Sequence, residues 1–105
     1  MDNLDVAQFI SSEVLKYIEK RLGDAAKHVT VSVSFSENGV EIDVDIDASL
    51  LVEDAYLQKV TDEAAELGVC IADVIREKGW PISRREISQC LDLVRRESRL
   101  ASGPS

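Results

Sequence analysis

At 105 residues, 45% hydrophobic and 30% charged with a formal charge of −8, the chain has room for one domain, near the size at which a single core suffices. Its first 79 residues carry 7 basic and 17 acidic side chains, against 5 and 3 in the last 26, so the body repels phosphate backbones and a basic partner surface is the expected target. The opening MDNLDVAQFI has acids where a secretory signal needs bases, and no run reaches the roughly 18 apolar residues of a membrane span, so the chain is read as cytoplasmic.

A first helix is predicted from about Leu4 to Leu22, with a buried stripe of Val6, Ile10, Val14, Tyr17 and Ile18, widened by Phe9 and Leu15, and Gly23 as its stop. A β-hairpin follows. Val29, Val31, Val33 and Phe35 alternate with Thr30, Ser32 and Ser34, and Val40, Ile42, Val44 and Ile46 alternate with Glu41, Asp43, Asp45 and Asp47. A two-residue turn at Asn38-Gly39 sets Phe35 against Ile42, Val33 against Val44 and Val31 against Ile46. Two strands are rarely stable alone, so the greasy face requires cover from the helices, and both strand edges invite extension of the sheet by a partner or a second copy.

A long helix is predicted from about Leu50 to Lys78, capped by Ser49, with Leu57, Val60, Ala64, Leu67, Ile71 and Val74 spaced three and four apart. Gly68 within it points to close packing against another element. Gly79 and Pro81 end it. Ser83 with Glu86 then forms a capping box for a last helix to about Arg99, with Ile87, Cys90, Leu91 and Val94 as its stripe. The prediction is therefore one α+β domain over residues 1–100, built as helix, antiparallel hairpin, long helix packed on the sheet and C-terminal helix, followed by a frayed tail over 101–105.

No catalytic constellation assembles from these residues, and the chain is read as non-enzymatic. Asp43, Asp45, Asp47 and Asp54 imitate a calcium loop, but Ala48 stands where it needs glycine and Asp54 where it needs glutamate. They are read as a solvated strand face that discourages aggregation and suits Lys and Arg of a partner. No metal and no cofactor is expected. His28 has no Ser, Cys or Asp assigned to it by spacing, and Glu53-Asp54 and Asp62-Glu63 read as helix-start charge and a solvated helix face. Cys70 and Cys90 lack metal or redox spacing and are read as small buried apolar side chains, with a disulfide open to them if the last two helices fold back on each other. Trp80 reads as an anchor for the last helix or as a partner contact. That helix, following a short Gly-containing turn, has the ingredients of a helix-turn-helix: Arg84, Arg85, Arg95, Arg96 and Arg99 supply phosphate-binding charge.

The run from Val6 through Gly79, with VTVSVSFSENGVEIDVDID between two helices and LQKVTDEAAELGVCIADVI in the second, resembles the helix-strand-strand-helix portion of the small dimerising subunit of the KEOPS complex. It also resembles a family of short archaeal proteins of that layout. KEOPS installs threonylcarbamoyl on the adenosine next to the tRNA anticodon; its small subunit is not the catalyst, pairs through its sheet and docks by its helices. That subunit begins with a strand before its first helix, and the helix from Ser83 has no counterpart in it. The resemblance thus implies an archaeal, non-catalytic accessory subunit that caps or mimics half of such a dimer. On that reading Val31, Val33 and Phe35 form the pairing edge, while Leu57, Val60, Leu67 and Ile71 divide their work between sheet and partner. The alternative is a small nucleic-acid-associated or transcription factor using the basic C-terminal helix; a KH-like RNA module is discounted, for want of a GxxG loop and a basic groove.

Overall fold

The computed structural model describes residues 3–37 and 39–101, with side chains at 4–37 and 39–96. Helix α1 (Asn3–Leu22) leads through one 3-10 turn (Gly23–Ala25) into strands β1 (Ala26–Ser36) and β2 (Gly39–Ala48), then α2 (Asp54–Lys78) and α3 (Arg84–Ala101). The α+β architecture and its element order are those expected. α1 and α2 lie side by side against the two-stranded antiparallel sheet, α1 on β1 and α2 on β2, and α3 packs on α2.

Helical spacing explains the core. Ile10, Val14, Ile18, Val60, Leu67 and Ile71 are all at most 1% exposed, because residues three and four apart share one helix face and the two faces meet. The hairpin contributes differently. Its alternating Val29, Val31, Val33, Val40, Ile42, Val44 and Ile46 pack against this core yet stay partly exposed, and no residue of either strand is fully buried. Gly68 marks a close approach of helix to sheet: a Cβ there would lie 3.1 Å from two carbons of Ile42.

Three local expectations are corrected. The register pairs Val31 with Val44, Val33 with Ile42, Phe35 with Val40 and Ser36 with Gly39. The pairing runs as far as Ser36 and Gly39, two places from the predicted register, and a shift of two leaves each side chain on its expected face. Asn38, assigned to the turn, lies outside the described residues. The long helix begins at Asp54 and not near Leu50, because the Ser49 amide donates to the Ala25 carbonyl (2.8 Å) and its carbonyl accepts from the Val52 amide (3.0 Å). Those bonds fold residues 49–52 into a turn that projects Leu50 and Leu51 into solvent, 103% and 95% exposed. Lastly, Ala101 closes α3 where a frayed tail was expected; the remaining tail residues, 102–105, are not among those described.

At the far end, Gly79 adopts φ +90°, a left-handed conformation that glycine takes at little cost, and donates its amide to the Ile75 carbonyl at 2.8 Å. The Trp80-Pro81 bond is cis. Ser83 and Glu86 form the reciprocal box, the Ser83 amide donating to Glu86 Oε1 (3.0 Å) and the Glu86 amide to Ser83 Oγ (3.3 Å). The Ser83 amide, aided by Lys78, holds the Glu86 carboxyl below its ordinary range. Cys70 and Cys90 are joined by a disulfide with their Cα atoms 5.8 Å apart, so they are not two free buried thiols. α3 lies along α2 and brings the two cysteines opposite each other.

Candidate functional site

Two polar clusters hold the helices together. Glu63 is only 4% exposed, which corrects the solvated-face reading. Its Oε1 accepts from Tyr17 Oη (2.9 Å) and Arg21 Nη1 (2.5 Å), and Arg21 Nη1 also donates to Tyr17 Oη (2.8 Å). Burial and the hydrogen bond to Glu63 push the Tyr17 phenol up to about 12. The second cluster centres on Glu13, 7% exposed, whose carboxylate takes two bonds from Arg84 (2.6 and 3.2 Å) and one from Lys16 (3.2 Å). Burial works to raise the Glu13 carboxyl, but these cations hold it below its ordinary value. Both carboxylates sit on the core stripes, Glu13 between Ile10 and Tyr17 and Glu63 between Val60 and Leu67, and that spacing was the signal by which sequence reasoning could have found them.

Each cluster joins α1 to a later helix through paired charges, an arrangement that braces the packing. Among the described residues no three His, Cys, Asp or Glu side chains converge as metal ligands.

The residues assigned to a partner fall into two groups. Val60, Leu67 and Ile71 are core side chains with no surface left for a partner, and Leu57 is half-buried beside them; packing against α1 and the sheet consumes their apolar area. Trp80 lies edge-on to Phe9, ring centroids 4.9 Å apart, and so ties the link between α2 and α3 to α1. Val31, Val33 and Phe35, by contrast, line the strand that forms one open edge of the sheet, and Phe35 remains 39% exposed. Beside that edge a groove of about 330 Å³ is bounded by Gln8, Ser11, Ser12, Leu15 and Val31. Leu15, at 37% exposure, belongs to this groove and not to the core.

Of the C-terminal arginines, Arg84 is committed to Glu13. Arg85, Arg95 and Arg96 are exposed on α3 and make no ion pair among the described residues; the Arg99 side chain lies outside them. His28 is exposed opposite Asp47. No described helix is long and apolar enough to cross a membrane. Compared with protein-family models, with curated proteins and with solved structures, the chain shows no match.

Proposed function

We propose that this chain is a non-catalytic, cytoplasmic protein-interaction subunit that pairs through a sheet edge, accessory to a tRNA-modifying assembly of the KEOPS kind. The observation that carries the reading is a sheet in which, among the described residues, β1 and β2 have no strand neighbour but each other, and whose apolar face is incompletely covered. Such edges attract strands from other chains, and proteins that keep them usually guard or use them. Leu50 and Leu51, wholly exposed at one end of the hairpin, add apolar area next to it. The assignment to KEOPS rests on the sequence resemblance alone.

The test is affinity capture of the tagged chain from its host lysate, with mass spectrometry of the co-purifying proteins. Recovery of the KEOPS catalytic and dimerising subunits is the expected result. A chain that remains a monomer by light scattering and brings down neither subunit overturns the assignment. A second reading, nucleic-acid association through α3, draws on the exposed Arg85, Arg95 and Arg96, which make no ion pair among the described residues. It requires a salt-sensitive duplex affinity that falls on charge reversal of Arg85, Arg95 and Arg96.

A further inference from the structure

The two open edges are chemically unlike. β2 turns Glu41, Asp43, Asp45 and Asp47 outward, all exposed, and no described cation forms an ion pair with them. A strand so charged resists pairing with neutral or acidic strands. β1, in contrast, carries no charge from Val29 to Ser36. Its outward residues Thr30, Ser32 and Ser34 are small hydroxyls standing in register with Asp45, Asp43 and Glu41. Adjacent strands lie about 4.8 Å apart, so a third strand beside β1 would run about 10 Å from β2, and long cationic side chains could lie flat across the hydroxyls to reach those carboxylates. On the inner face the same strand would turn every second side chain toward the groove beside α1, where Leu15 and Val31 are the apolar walls.

Resting on the interaction role proposed above, we infer that the free edge of β1 receives an extended segment of a partner protein in which aliphatic and basic side chains alternate. The aliphatic side chains enter the groove between β1 and α1, and the basic ones pair with Glu41, Asp43 and Asp45. A second copy of the chain fits less well. It would offer hydroxyls where cations are needed, and it would bring together two molecules of charge −8.

The experiment titrates the isotopically labelled full chain with two blocked peptides, one alternating valine with lysine and the other valine with glutamate, following backbone amide signals by NMR. The lysine peptide is expected to shift β1 amides and the Leu15 methyls, to bind at least about tenfold more tightly than the glutamate peptide, and to weaken as salt rises. Asp43→Asn with Asp45→Asn, both on the exposed face and thus compatible with folding, should reduce that affinity about tenfold. Equal binding of the two peptides, or no effect of the double substitution, overturns the basic chemistry and leaves edge pairing intact. Absence of any β1 shift overturns the inference and with it the sheet-edge role. Shifts that grow with protein concentration alone assign the edge to a second copy and overturn the inference as well.

Discussion

The helical layer and the hairpin reach burial in different ways. Between α1 and α2, Ile10 and Ile71 lose all contact with solvent and even a tyrosine, an arginine and a glutamate interlock across the interface. In the hairpin no residue is fully buried, although every inward position is apolar. A helix pair closes its own interface, because each apolar stripe faces the other. A two-stranded sheet has one face to bury and two edges to satisfy, and here the helices cover the face only in part. That difference makes the hairpin the side of the molecule with unmet demand.

Substitutions on the two sides separate them first. Leu67→Ala, which empties a fully buried site, is expected to cost about 3 kcal/mol in urea denaturation, whereas Val33→Ala on the half-covered strand should cost about 1 kcal/mol. Equal costs would remove the distinction. Reducing the Cys70–Cys90 bridge, which spans 20 residues, should cost the folded state about 3 kcal/mol through lost loop constraint. Hydrogen exchange should then rise in α3 while the hairpin amides stay unchanged; equal acceleration in both would mean that the helical layer and the hairpin unfold as one unit.

The seam between the two regions is probed by Gly68→Ala. Alanine improves helix propensity by about 1 kcal/mol, but its methyl meets Ile42 at 3.1 Å, tighter than ordinary contact. A net loss of about 1 to 2 kcal/mol is expected, and adding Ile42→Val should recover part of it. No recovery in the double variant would show that the strand shifts aside without resistance.

The smallest effects come from titration of the helical braces. Glu13 has its carboxyl lowered in the folded state, so its contribution is present above the ordinary value of 4.5 and fades as pH falls through the lowered one. Glu13→Gln should therefore flatten the acid limb of the stability profile. Tyr17, raised to about 12 from 10.0, behaves oppositely: its contribution is whole below pH 10 and is lost as pH rises toward 12. Ultraviolet titration of a Tyr56→Phe variant should show this last phenol ionising late, and ionisation near 10 would mean that the Tyr17–Glu63 bond is open in solution.

Much of the fold was legible from spacing. Positions three and four apart identified Ile10, Val14, Val60 and Leu67 as core, and strict alternation identified both faces of the hairpin. Glu13 and Glu63 occupy those same stripes, yet charge argued for solvent; only the distant partners Arg84 and Arg21, 71 and 42 residues away, make their burial affordable. The start of α2 was misplaced for a related reason: Ser49 is a good cap by composition, but its amide donates to the carbonyl of Ala25 in the turn before β1.

What the sequence by itself determined is therefore the element order, the inward and outward faces, and the uncharged character of β1 beside the acidic β2, since periodicity and charge are local properties of the chain. The tertiary structure alone decided the disulfide, the two buried carboxylate braces, the withdrawal of Val60, Leu67 and Ile71 from any partner surface, and the groove between α1 and β1. Each of these depends on groups far apart in the chain being held at bonding or packing distance, and no local pattern records where a distant segment will lie.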